Sequence, residues 1–194
     1  MDEQPNEWTP EGAAERCLFK LTSDALIVAN TGRPFSRQGV ISICYAHLSE
    51  KGKVPPTDNY GVAPAGLVEA IAERTLQVYR GDINRIGSDS VSEEELQRDY
   101  GGRSIWELLQ NADDACAPEG STSSELIGAK GIGFKSVLEI TGQPEIHSGP
   151  FHFLFSPEKT RDRLRQFAAA PPLLTFQIPH HAPASEEVAC LLVE

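Results

Sequence analysis

Cysteine is sparse in this chain, and its placement rules out two architectures. Cys17, Cys44, Cys116 and Cys190 lie far apart, without a C-x-x-C pair and without histidine at ligand spacing. Reduced thiols fit this pattern better than a disulfide framework or a structural zinc site. No apolar run approaches the roughly 20 residues that a membrane-spanning helix needs. The opening MDEQPNEWTPEG has neither the basic nor the apolar region of a signal peptide. Positive charge is also short: 17 Lys and Arg stand against 28 Asp and Glu, a net charge of −11. Such a balance disfavours a phosphate backbone as partner, so nucleic acid is not expected. A cytoplasmic protein is the expectation, with a nuclear location left open. No internal repeat is present.

With 194 residues the chain suits one domain that buries a core without staples. Residues 1–12 read as a flexible leader and 13–194 as the domain. Within 13–51 a hairpin is expected over Arg16 to Asn30, turning at Thr22-Ser23-Asp24, with a buried strand from Ala25 to Ala29. A helix follows over residues 39–48, with Ser36 as its cap. Residues 52–66 are rich in Pro and Gly and read as a connector.

Residues 67–117 read as helices. The first runs from Leu67 to Tyr79, with Leu67, Val68, Ile71, Thr75 and Val78 on its apolar face. Ser92 and Glu95 form a capping box for the next, and Gly101-Gly102 breaks it. A further helix spans Ser104 to Ala115, where Ile105, Leu108, Ala112 and Ala115 recur at the spacing of a buried face. Residues 127–194 hold a glycine-rich segment, then strands in PEIHS, FHFLF, LLTFQI and VACLLV, with the charged SPEKTRDRLRQ between them. His180 and His181 fall in a Pro-rich stretch and read as loop residues. The expected fold is α+β: a two-layer α/β sandwich, its sheet mostly antiparallel and its helices on one face.

Two stretches carry chemistry. In IGAKGIGFKSVLEIT, Gly128, Gly131 and Gly133 make a G-x-x-G-x-G segment ahead of a short helix from Phe134 to Ile140. Glycine admits positive φ and close backbone approach, and a helix N-terminus offers unpaired N–H groups to an anion. The pattern outlines a phosphate cradle, or else a flexible glycine turn. On the 104–115 helix, Glu107, Asn111 and Asp114 stand at i, i+4 and i+7 and share a stripe. The Asn111 carbonyl oxygen suits a hard cation such as Mg²⁺, and Glu107 could orient or deprotonate a water. The alternative is a solvated polar face.

Taken together, ELLQNADDA followed by IGAKGIGFKS resembles the ATP-binding domain of the GHKL or Bergerat superfamily, shared by heat-shock chaperone ATPases, gyrase B, MutL and histidine kinases. The resemblance is closest to the sacsin-like and NO VEIN-like branch, and IGAKGIGFKSVLEITGQPEIHSG continues it. A third element, ALIVANTGRPFSRQGVISIC, resembles the family's adenine-binding strand, with Asn30 at the acidic position and Gly32 as the first glycine. Asn30 either accepts from the adenine amino group through its amide oxygen or shapes the strand exit. Pro34 replaces the second glycine, which implies a stiffer loop.

The segment order departs from the family, because here the adenine strand precedes the Glu/Asn helix. Cys116 to Gly128 is long enough to permit this, about 12 residues at about 3.4 Å each. The exchange leaves open whether one chain closes its own site or swaps a segment with a second copy.

The resemblance implies adenine beneath Asn30 and Gly32, Mg²⁺ held by Asn111, and Asp114 in the same nucleotide site. It places Gly128, Lys130, Gly131, Ile132, Gly133 and Phe134 around the phosphates, and Ser49 and Lys51 in a mobile lid. Lys135 is either a further phosphate contact or a surface lysine. Glu107 would activate water. The implied activity is slow, Mg²⁺-dependent ATP hydrolysis driving a conformational or dimerisation switch in a chaperone-like or multidomain protein. The alternative is a nucleotide-binding regulatory module without useful hydrolysis. A protein partner, a further domain or a second copy is implied as well.

Overall fold

The computed structural model describes residues 17–45, 58–99, 102–116, 136–137, 140–169 and 178–183. Strands β1 (Cys17–Leu21) and β2 (Leu26–Asn30) form an antiparallel hairpin, with Leu21 opposite Leu26 and Cys17 opposite Asn30. Thr22 makes the turn, since its backbone N–H and its hydroxyl both donate to the Ala25 carbonyl. The hairpin matches the sequence reading, but β2 is half-buried along its length rather than buried. Among the described residues the hairpin is a two-stranded sheet.

Helix α1 (Arg37–Cys44) starts at Ser36, whose hydroxyl accepts from the Gly39 N–H at 3.1 Å. Helix α2 (Pro64–Gly81) begins inside the stretch expected to be connector, because Pro64 occupies its first turn, where no N–H is needed. Its buried stripe is Leu67, Val68, Ile71, Ala72, Thr75, Leu76 and Tyr79. Val78, expected on that face, is 47% exposed, and Tyr79 takes the inward position. The Tyr79 hydroxyl donates to Asp89 at 3.0 Å, and burial together with that carboxylate pushes its pKa upward.

Asp89 belongs to α3 (Asn84–Asp99), which runs straight through Ser92 and Glu95. The expected capping box is therefore mid-helix. The helix starts instead beside Asp82, whose carboxylate accepts from the Asn84 N–H at 3.1 Å. Gly102, at φ +80°, precedes α4 (Ser104–Cys116), which agrees with the expected span to within a residue.

A second antiparallel sheet orders β3 (Glu145–Ser148), β4 (Phe151–Phe155) and β5 (Pro179–His181) side by side. Gly149, at φ +53°, occupies the first position of the two-residue turn between β3 and β4. The charged stretch after β4 is helix α5 (Pro157–Leu164), with Ser156 capping the Lys159 N–H, Pro157 in the first turn and Arg161 and Arg163 in the last. His180 is a strand residue and buried, contrary to the loop expectation, and contacts the Thr160 hydroxyl on α5 at 3.0 Å. The expected strands LLTFQI and VACLLV lie outside the described residues, except for Ile178.

The architecture is α+β, with five helices and two small antiparallel sheets among the described residues. One core cluster joins α1, α2, Val137, Ile146 and the three phenylalanines of β4. A second joins the far half of α2 to Ile86, Leu164, Ala168 and Ile178. Arg163 reinforces it by bridging Glu69 at 2.8 Å and Glu73 at 2.6 Å across α5 and α2. Among the described residues, no helix is long and apolar enough to cross a membrane.

Burial, with Arg163 and Lys159 nearby, pushes the His180 pKa down to about 4 from its ordinary 6.5. In the unfolded chain the imidazole takes a proton first, so its stabilising contribution is complete above about pH 6.5. That contribution is lost as pH falls toward about 4, at up to about 1.4 kcal/mol per pH unit. His180→Asn is expected to flatten the acid side of the stability profile in that window, measured by urea unfolding at stepped pH.

Candidate functional site

The Glu/Asn stretch folds as α4, and one stripe of that helix organises the site. Ser104, Leu108, Asn111 and Ala115 stand at i, i+4, i+7 and i+11, hence along one line of the helix surface. Each end of the line meets a different chain segment. At the N-terminal end, the Ser104 hydroxyl donates to the Ser136 carbonyl at 2.6 Å, and both residues are buried. Leu108, half-buried, packs against the first core cluster. At the C-terminal end, Ala115 meets the exit of β2.

That second contact is close. The Arg33 N–H donates to the Ala115 carbonyl at 2.9 Å. A Cβ on Gly32 would stand 2.7 Å from the Ala115 Cβ and 2.8–2.9 Å from its backbone carbon and oxygen. Gly32 is glycine here because helix backbone occupies the space a side chain needs. Asn30 shapes the approach, since its amide oxygen accepts from the Gly32 N–H at 3.0 Å. The strand-exit role considered for Asn30 is thus realised, and the second lone pair of that oxygen leaves it able to accept again.

The loop beyond is held from the other side. The Phe35 N–H donates to the Ser148 hydroxyl at 2.8 Å, and a Cβ on Gly149 would meet the Pro34 Cβ at 3.0 Å. Ser104 and Ser148 were not singled out from the sequence, and Ala115 only as a member of the buried face. Nothing local marks a serine or an alanine as the seat of a contact 32 to 113 residues away.

Between the two ends lies Asn111. Its Nδ2 is sealed from solvent and has no hydrogen-bond partner among the described residues. An orphaned buried amide is unusual and costs about 1–3 kcal/mol. The Ser136 hydroxyl is orphaned in the same way. Glu107 and Asp114 flank the stripe and are half-buried. The other face of α4 is open, with Ile105 45%, Trp106 69% and Leu109 39% exposed. Ile105 was expected to be buried, but the inward face is rotated toward Ser104, Leu108 and Ala112.

The structure therefore brings Gly32 against the C-terminal end of α4, the helix that carries Glu107, Asn111 and Asp114, and Asn30 is bonded to Gly32. Gly128, Lys130, Gly131, Ile132, Gly133, Phe134 and Lys135 lie outside the described residues, as do Ser49 and Lys51. Ser136 and Val137, which follow the glycine segment in sequence, are described and buried. A small cleft of about 90 Å³ lies elsewhere, lined by Pro64, Ala65, Val68, Pro150, Phe151, His152 and His181. It is smaller than the several hundred Å³ that a nucleotide-sized ligand fills.

No family model matches the chain, and no solved structure does. A similarity does appear to Protein NO VEIN of Arabidopsis thaliana, 61% identical over 33 residues. Those residues are 17% of this chain and 1% of that protein.

The Gly32 contact yields a paired test. Gly32→Ala forces a methyl group against helix backbone and is expected to cost about 1–3 kcal/mol. Gly87→Ala, in the interior of α3 with nothing within 4 Å, is expected to stabilise by about 0.5–1 kcal/mol. Chemical denaturation of both variants checks the opposite signs.

Proposed function

We propose that the chain is a Mg²⁺-dependent ATP-binding domain of the GHKL or Bergerat type that hydrolyses ATP slowly. One observation carries the proposal. A single stripe of α4 holds the orphaned Asn111 amide between Gly32 at one end and Ser136 at the other. The resemblance assigns those three segments to metal, base and phosphate, and the chain gathers them despite their exchanged order. The short, strong similarity to Protein NO VEIN supports the same branch.

The Asn111 side chain fits this role. As placed, it offers a buried donor without a partner, suited to a phosphate oxygen. Turned by 180° about its last torsion, the same amide offers its oxygen to a hard cation. Bound Mg²⁺ would neutralise phosphate charge and stabilise what develops in the transition state. Asn30 would present its amide to the adenine edge. Glu107 would orient the attacking water and take its proton.

In this reading the glycine-rich residues Gly128, Gly131 and Gly133, with Lys130, Ile132 and Phe134, wrap the phosphates, and Ser49 and Lys51 serve the lid. The two-layer sandwich is part of the same proposal. So is the biological use, a nucleotide-driven conformational or dimerisation switch with a partner domain, another protein or a second copy. A nucleotide-binding module without useful hydrolysis is the second reading, and retention of both Glu107 and Asn111 favours the first.

Two substitutions separate the readings. Glu107→Gln keeps shape and removes the base, so Mg²⁺–ATP binding is expected to persist while hydrolysis falls by roughly 10²–10⁴-fold. Asn111→Ala is expected to abolish the Mg²⁺-dependent part of ATP affinity. Calorimetric titration with and without Mg²⁺, alongside single-turnover phosphate release, measures both. Tight ATP binding by the wild type with no phosphate release would select the module reading, and no ATP binding would remove the nucleotide reading altogether.

The base contact is tested separately. Asn30→Ala is expected to weaken ATP and ADP alike, and Asn30→Asp to retain both, in the same titration. Wild-type affinity in Asn30→Ala would remove this strand from the site.

A further inference from the structure

We propose that Ser104 is a positioning residue, resting on the nucleotide reading above. Its hydroxyl sets the register of α4 against Ser136 and Val137, and so holds Glu107 and Asn111 in working position. Among the described residues, the apolar anchorage of α4 is modest. Ile105, Trp106 and Leu109 are exposed, and within the helix Ser104 and Ala112 are the buried residues. Its remaining anchors are the half-buried Leu108 and the Ala115 contact with the β2 exit. The Ser104–Ser136 bond joins the N-terminal end of the helix to the core segment, and the Arg33–Ala115 bond joins its C-terminal end to the β2 exit.

The acceptor side is firm. Val137 is 6% exposed and belongs to the first core cluster, and its carbonyl accepts from the N–H groups of Ile140 at 2.9 Å and Thr141 at 3.0 Å. The Ser136 carbonyl one residue earlier is thus presented from a segment locked into the core. A 2.6 Å hydrogen bond between buried groups transmits that position to the first turn of α4. Glu107 lies one helical turn further on and Asn111 two, a rise of about 10 Å from Ser104 to Asn111. A small tilt at Ser104 therefore moves the carboxylate and the amide together. Glycines 128, 131 and 133 precede Ser136 closely in sequence, so the same contact joins the helix to the chain that leaves the glycine segment.

The geometry also supplies its own control. Ser104 bonds to the backbone carbonyl of Ser136, whose own hydroxyl has no partner. Ser136→Ala leaves the tether intact, whereas Ser104→Ala removes it.

The experiment compares wild type, Ser104→Ala, Ser104→Thr and Ser136→Ala. Hydrogen exchange by NMR is read at the Ile140 and Thr141 amides in the nucleotide-free protein. Affinities for Mg²⁺–ATP and for adenosine, and single-turnover hydrolysis, are then measured on the same samples. Ser104→Ala is expected to speed exchange at both amides by about tenfold, the scale of one lost hydrogen bond. Mg²⁺–ATP affinity and hydrolysis are expected to fall by a similar factor while adenosine affinity changes less than about twofold. Ser104→Thr, which keeps a hydroxyl, is expected to stay near wild type, and Ser136→Ala, which keeps the carbonyl, to leave exchange at both amides near wild type. Unchanged exchange in Ser104→Ala overturns the tether. Faster exchange with equal losses for ATP and adenosine overturns the positioning role in favour of general loosening. A wild type that binds no ATP overturns the nucleotide reading, and the exchange comparison still decides whether Ser104 is the tether.

Discussion

Burial along α2 is the constraint on which the rest of the structure depends. The stripe from Leu67 to Tyr79 is continuous, yet its two halves serve different cores. Leu67, Val68 and Ile71 meet α1 and the phenylalanines of β4, while Ala72, Leu76 and Tyr79 meet α3, α5 and Ile178. Each fully buried residue of this size contributes about 1.5–3 kcal/mol, so the helix is the strongest single link between the two clusters. One flank is also held by charge, with Arg163 of α5 bridging Glu69 and Glu73.

Helix α4 differs from α2 in what it turns inward. Its inward stripe is short in apolar atoms and rich in groups that need a defined place: a buried serine, a buried orphan amide, and an alanine pressed to a glycine. The apolar residues that would ordinarily anchor such a helix, Ile105, Trp106 and Leu109, face outward instead. Polar atoms left without partners inside a fold are costly, and their persistence beside Glu107 agrees with a site shaped for something other than stability.

The β2 exit and α4, far apart in sequence, meet directly in space. The Arg33 N–H reaches the Ala115 carbonyl across 82 positions of the same chain. Helix α2 and helix α3 provide the detour, and the close approach of Gly32 to Ala115 secures the join. A connection can lengthen at little cost when the contact it serves is short and specific, because the entropy of loop closure grows only slowly with length.

Much was legible in the sequence because it is local. The hairpin turning at Thr22, the cap at Ser36, the apolar spacing of α2 and the glycine break before α4 are each written within a few residues, where propensity and periodicity act. The Glu107/Asn111/Asp114 stripe follows from helical spacing in the same way. What failed was also physical. Ser92 and Glu95 read as a cap, but α3 already starts at Asn84, beside Asp82, and runs through both. Val78 and Ile105 fit their periodicities, but neighbours set the rotation of each helix and left both exposed. His180 became a strand residue through β4 and Thr160, both distant in sequence. The sequence by itself determined the elements and the chemistry each could offer. Tertiary structure alone decided which face of α4 turns inward, why residue 32 must be glycine, and that Ser104 meets Ser136, because those outcomes rest on contacts between segments that local interactions cannot specify.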